Sequence, residues 1–143
     1  METFNQIREK VEVSGLSHNA KKLVYSVLEA SNYSTQGVEK KSWLNGLQNE
    51  WASYLQAQES IKENMALKAK YEKRLRLSRR TLGLIKRPTP PQLKPVREFS
   101  ASPVPCNESF RSICIEAFRS GYLESKDVNG QEHICPTSKL VQW

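Results

Sequence analysis

Apolar residues recur at helical spacing through the first part of the chain. Phe4, Ile7 and Val11 predict a short helix over about residues 2–12. Ser17, a residue type favoured at the N-cap, precedes a second stripe that follows the i, i+3, i+4, i+7 rule. That stripe comprises Ala20, Leu23, Val24, Val27 and Leu28. The N-terminal part of the chain is therefore predicted to form two short amphipathic helices.

A long helix is predicted from about Ser42 to Leu82, where the chain has no proline and one glycine, Gly46. At 1.5 Å per residue, about 40 residues span roughly 60 Å, too long to be buried along its whole length in so small a protein. Its first stripe is close to a heptad and contains Trp43, Leu44, Leu47, Trp51, Tyr54, Leu55, Gln58, Ile61 and Met65. A second stripe, displaced around the helix from about Ala66, contains Leu67, Tyr71, Leu75, Leu82 and Ile85. The displacement predicts a bend or a change of packing partner near Ala66.

After the long helical pattern, the chain becomes rich in proline. Six of the seven prolines lie between Pro88 and Pro105, which predicts the end of the long helix and an extended linker. Beyond the linker, Asn107 is a candidate N-cap for a further helix that Gly121 would end. The apolar positions of that helix are Phe110, Ile113, Cys114, Ala117 and Phe118. The dipeptide Asn129-Gly130 favours a type I′ hairpin, with a short helix as the alternative.

These patterns predict a mainly α protein. Short N-terminal helices pack on one long central helix, and a Pro-rich linker leads to a small C-terminal helical or α+β module. The predicted divisions are a helical N-terminal region and core, a basic extension of the long helix, the linker and the module, at 1–65, 66–87, 88–105 and 106–143.

Charge is concentrated in one segment. The chain has 22 basic and 15 acidic residues, a net charge of +7. Residues 66–97 hold eleven of the basic residues and one acidic residue, Glu72, so this segment carries +10 and the rest of the chain −3. A solvated helix face usually carries acidic residues between its basic ones. The single acidic residue in this segment therefore predicts a polyanionic partner. The candidate binding residues are Lys68, Lys70, Lys73, Arg74, Arg76, Arg79, Arg80, Lys86 and Arg87.

Two other groups of residues each have two interpretations. The stripe residues Trp43, Leu47, Trp51, Tyr54 and Leu55 either pack in the core or form a self-association surface. The C-terminal Leu140 and Trp143 either fold back on the small module or form a docking tail, since tryptophan is common among residues that dominate binding energy.

Catalysis and metal binding find little support. The chain lacks GxGxxG, GxxxxGK[ST], HExxH and GxSxG, so we expect no enzyme activity, no cofactor and no small-molecule substrate. Cys106, Cys114, His133 and Cys135 follow the spacing C-x7-C-x18-H-x-C, which departs from that of structural zinc sites, so no metal is expected. Three cysteines outside any CxxC pattern indicate free thiols and a reducing compartment, the cytoplasm or a eukaryotic nucleus. No apolar run exceeds three residues, so no membrane partner is expected.

The sequence thus predicts a non-enzymatic protein that binds the phosphate backbone of nucleic acid through a basic helix and self-associates. The alternative is an assembly or scaffolding protein. Its helical rod and terminal modules would bind other protein subunits, and the basic helix would meet an acidic protein surface.

Overall fold

A computed structural model describes residues 3–141 of the chain. Over these residues the fold is mainly helical, with one small antiparallel sheet whose strand order is β1-β3-β2. This fits the predicted mainly α fold with a C-terminal α+β module. The helices are α1 (Phe4–Glu12), α2 (His18–Ala30), α3 (Lys40–Arg80) and α4 (Phe110–Arg119), and the strands are β1 (Val38–Glu39), β2 (Leu123–Val128) and β3 (Gln131–Pro136).

Local signals place the helix ends and the hairpin. The Ser17 hydroxyl accepts a hydrogen bond from the Ala20 amide at 3.3 Å, so the predicted N-cap of α2 is confirmed. The predicted hairpin is also confirmed, because Asn129 and Gly130 both have positive φ and join β2 to β3. The predicted cap of α4 is wrong by two residues. Ser109 is the N-cap, and Asn107 uses its side-chain oxygen to accept from the Ser109 amide in a turn before the helix.

One compact unit joins the two ends of the chain. It contains the described residues up to Trp51 together with those from Ser102 onward. In it α2 packs on α4, and α1 packs on α2. Fully buried side chains from both ends form one core, among them Leu23, Leu28, Ile134 and Leu140. The limits of this unit, Trp51 and Ser102, differ from the predicted divisions after residues 65 and 105, and α2 contacts both α4 and β3 of the C-terminal segment.

The start of α3 also enters this core. Trp43 and Leu47 are buried in it, and the Trp43 indole Nε1 donates a hydrogen bond to the Ser26 hydroxyl at 3.0 Å. The long helix therefore supports the N-terminal helices through its first two turns.

Strand β1 completes the join between the two ends. Val38 pairs with Ile134 and Glu39 with His133, and the chain reaches this short strand through Gly37. Gly37 has φ +75°, and a Cβ atom placed there would lie 2.4 Å from both Cys135 Sγ and the Ile134 carbonyl oxygen. A side chain at residue 37 would therefore collide with β3, so the close approach requires glycine.

The second compact unit is residues 52–101, the remainder of α3 and most of the Pro-rich segment. Residues 88–101 form no helix or strand, yet they run back along α3. The Asn64 side chain bonds both the amide and the carbonyl of Lys94, at 2.9 and 3.0 Å, and Lys94 forms an ion pair with Glu63. Further back, the Phe99 ring meets Tyr54 edge to face with centroids 5.5 Å apart. The segment is extended, as expected, but it is packed against the helix and is not a free spacer.

Candidate nucleic-acid interface

One face of α3 is covered by the returning segment. Ala57, Asn64, Tyr71 and Ser78 lie seven residues apart, so they follow one narrow stripe along the helix. Ala57 and Ser78 are buried, and Asn64 and Tyr71 are half-buried. Helix α3 runs without interruption through Ala66, and the change of packing partner occurs before Ala57 rather than near Ala66.

The predicted basic residues occupy the uncovered remainder of the helix and the chain just after it. All nine are exposed, and within residues 3–141 none of them forms an ion pair. Lys73, Arg76 and Arg80 line a shallow cavity of about 390 Å³ with Ala69 and Leu77. Their i, i+3, i+7 spacing places the three cations on one face, far around the helix from Ser78. This face offers positive charge over about 10 Å of helix length.

Helix α3 ends earlier than predicted. Its last residue is Arg80, eight positions before Pro88, so the prediction that proline ends the helix is wrong. The end is a Schellman motif, in which the Gly83 amide donates to the Ser78 carbonyl at 3.1 Å and the Leu82 amide to the Arg79 carbonyl at 3.3 Å. Leu82 occupies the left-handed position, with φ +52°, where glycine is usual. The Ser78 hydroxyl then donates to the Ile85 carbonyl at 2.9 Å and fixes the turn.

This turn brings together basic side chains that are distant in the sequence. Lys86 and Arg87 follow the turn and line a cavity of about 460 Å³ with Arg74, thirteen positions before Arg87. Arg74 also lines a neighbouring cavity of about 160 Å³ with Lys70. Thr89 and Pro88 line both cavities. Four cations thus converge around one short segment, and an anion bound there would relieve the repulsion among them.

The turn also exposes apolar side chains. Leu82 is 94% exposed and Leu84 is 91% exposed, and in the sequence they stand between Arg79-Arg80 and Lys86-Arg87. We call residues 82–85 the apolar tip. Leu82 was expected on the second stripe of the helix. It lies beyond the helix end, so it contributes nothing to packing among the described residues.

The aromatic stripe divides between the two units. Trp43 and Leu47 are core residues, and Trp51 and Tyr54 are half-buried. Leu55, by contrast, is 49% exposed, and further along the helix Ile61 and Met65 are also exposed. The stripe is therefore buried at its start and open to solvent at its end.

The two tail residues differ in what the structure describes. Leu140 is fully buried in the core, and its carbonyl oxygen accepts a hydrogen bond from Lys10 Nζ at 3.3 Å. Its side chain is therefore not available for docking in this fold. Trp143 lies outside the described residues.

The cysteines lie in ordinary packing positions. Over the described part of the chain, no three histidine, cysteine or acidic side chains come close enough to hold a metal ion. Burial raises the pKa of Cys106, Cys114 and Cys135 above the usual thiol value. Because the thiolate is the nucleophile, this burial lowers the fraction of reactive thiolate at each of the three positions.

Two features of this region had no sequence signal. The bidentate contact of Asn64 with Lys94 joins residues thirty positions apart, and the position of Thr89 among the cations depends on the turn after α3. An asparagine on a helix and a threonine between prolines are each compatible with simple solvent exposure.

Comparison of the chain with protein-family models, curated proteins and solved structures finds no match. Of the helices in residues 3–141, none combines the length and apolar character needed to cross a bilayer.

Proposed function

We propose that this protein binds nucleic acid through the phosphate backbone, using the exposed basic residues of α3 and the turn that follows it. The observation that carries the proposal is the convergence of Arg74, Lys86 and Arg87 on one cavity without an acidic partner in the described chain. Anions that neutralise such a cluster release condensed counterions, which drives binding. Arginine also favours phosphate by its shape, because the planar guanidinium can donate two parallel hydrogen bonds to two phosphate oxygens.

The same surface favours contact with phosphates over recognition of bases. Between residues 66 and 87 the one aromatic side chain is Tyr71, which is half-buried beside the returning segment. Proteins that bind single strands usually stack bases on exposed aromatic rings, and this segment has no exposed ring for that purpose. Since phosphate contacts carry no sequence information directly, we expect similar affinity for different sequences.

Salt titration tests this proposal. Fluorescence anisotropy of labelled random duplex and single-stranded oligonucleotides should show binding whose log affinity falls linearly with log salt. Four to six phosphate contacts correspond to a slope of about −4 to −5 on duplex DNA. Binding that is absent at low salt, or that changes little with salt, would refute the proposal.

A protein partner is the second candidate, and the apolar tip favours it. Leu82 and Leu84 are almost fully exposed and are flanked in the sequence by four basic residues, a combination that suits an apolar pocket with an acidic rim. The double substitution Leu82→Ser, Leu84→Ser separates the two candidates in the same titration. Phosphate binding predicts an affinity for oligonucleotides within about twofold of the unmodified chain, since no charge is lost. A partner protein that binds the unmodified chain and not this variant would favour the assembly function.

The proposal includes self-association through the open end of the aromatic stripe. Leu55 and Met65, 49% and 65% exposed, lie about 15 Å apart along the helix. Replacing both with glutamate should shift the mass measured by sedimentation equilibrium toward the monomer, because charge opposes burial in a helix pair. Val13→Glu, at an exposed position of the other unit, is the control. A weak interface has a dissociation constant of about 100 μM. An unmodified chain that is monomeric at that concentration would therefore disprove self-association.

A further inference from the structure

Thr89 stands in a segment with the properties of a kinase substrate. It is exposed, lies between Pro88 and Pro90, and belongs to no helix or strand. Protein kinases bind the acceptor residue in an extended backbone, and the proline-directed class requires proline directly after the acceptor. In the whole sequence only Thr89 and Ser102 are hydroxyl residues followed by proline.

The surroundings of Thr89 differ from those of Ser102. Thr89 lines both basic cavities, so Lys70, Arg74, Lys86 and Arg87 all lie around it. Ser102 belongs to the other compact unit, where the hydroxyl and the carbonyl of Ser102 accept from Lys22 Nζ at 2.9 and 2.7 Å. Thr89 therefore lies at the proposed phosphate-binding site, and Ser102 does not.

We propose that Thr89 is a phosphorylation site that regulates nucleic-acid binding, an inference that rests on the proposed function. A proline-directed kinase would transfer the γ-phosphoryl group of ATP. The Thr89 Oγ1 forms a bond to phosphorus, the bond from phosphorus to the β-phosphate bridging oxygen breaks, ADP leaves, and the hydroxyl proton passes to the kinase base. The product carries a charge of about −1.5 to −2 at neutral pH and three acceptor oxygens.

The phosphate acts by occupying the cations that nucleic acid needs. Phosphothreonine and a backbone phosphate both offer anionic oxygens to lysine and arginine, and the intramolecular group has the advantage of proximity. If it neutralises two of the four surrounding cations, the salt slope on duplex DNA becomes shallower by about 1.8, twice 0.9. At 0.1 M salt the same loss corresponds to roughly 10- to 60-fold weaker binding.

The experiment uses the full chain with a purified proline-directed serine/threonine kinase and ATP. Ser102→Ala leaves Thr89 as the acceptor, and Thr89→Ala leaves Ser102, so each site is tested alone. Mass spectrometry locates the phosphate, and anisotropy with a labelled duplex at 0.1 M salt measures affinity before and after treatment. We expect the 10- to 60-fold loss in the Ser102→Ala chain and a change within about twofold in the Thr89→Ala chain.

Three outcomes would overturn this inference: no phosphate on Thr89, phosphate without loss of affinity, or an equal loss in the Thr89→Ala chain. The last would indicate an effect of net charge rather than of the site. Untreated protein is measured first. Absence of salt-dependent binding at that stage overturns the proposed function itself, whereas binding that phosphorylation of Thr89 leaves unchanged overturns the regulation alone.

Discussion

Replacing Arg76, Arg79 and Arg80 with glutamine is expected to weaken binding to all duplex sequences alike, by about 100- to 500-fold at 0.1 M salt. Each lost phosphate contact removes about 0.9 from the log-log salt slope, so the slope should become shallower by about 2.7. Glutamine retains most of the side-chain length and has a helix propensity close to that of arginine, so α3 should remain intact. Anisotropy titrations from low to physiological salt measure both the affinity and the slope.

A second triple variant controls for overall charge. Lys41, Arg111 and Arg119 are exposed and belong to the other compact unit. Their replacement with glutamine lowers the net charge from +7 to +4, as the first set does. This variant should bind with nearly unchanged slope. Equal losses in the two variants would mean that general charge attracts nucleic acid and that the basic segment is not its site.

Gly37→Ala is expected to destabilise the unit that joins the two ends of the chain by about 3 kcal/mol, from a strained left-handed backbone and an overpacked contact. The added Cβ would lie 2.4 Å from backbone and side-chain atoms of β3, so β1 would have to move away. The buried Cys135 thiol, which donates to the Gln36 carbonyl at 3.4 Å, would be displaced with it. Thermal unfolding followed by circular dichroism should show a midpoint lower by about 12 to 24 °C.

Gly46→Ala is the matched control. Gly46 lies in α3, is exposed, and has no neighbouring atom within 4 Å of an added Cβ. Alanine there should be neutral or stabilising by up to about 1 kcal/mol, because glycine weakens a helix interior. If the two variants melt at the same temperature, the close approach of Gly37 to β3 does not hold the ends of the chain together.

Local physics explains which elements could be predicted. Ser17 caps α2 because its hydroxyl reaches an amide three residues away, and Asn129-Gly130 turns the hairpin because both residues tolerate positive φ. A prediction from local signals failed where two such signals compete for the same helix end. Prolines from Pro88 onward could end α3, but the Schellman motif at Leu82 ends it first.

Partner choice could not be predicted in the same way. The apolar stripe of α2 must pack against another element, but any amphipathic helix could cover it. In the structure α4 does so, although it lies nearly ninety positions further along the chain. The Pro-rich segment likewise had the composition of a spacer. The contact of Asn64 with the Lys94 backbone holds it against α3, and no short window of sequence contains both residues.

The sequence by itself determined the long helix, the hairpin, the concentration of charge in residues 66–97 and the identity of the candidate cations, because each depends on spacing within a few residues or on composition. The tertiary structure alone decided that both ends of the chain share one core, which face of α3 the Pro-rich segment covers, and that Arg74 meets Lys86 and Arg87 around Thr89. These features depend on contacts between residues distant in the chain. Such contacts are selected by how whole surfaces fit and by the backbone path of a single turn, neither of which a periodic pattern encodes.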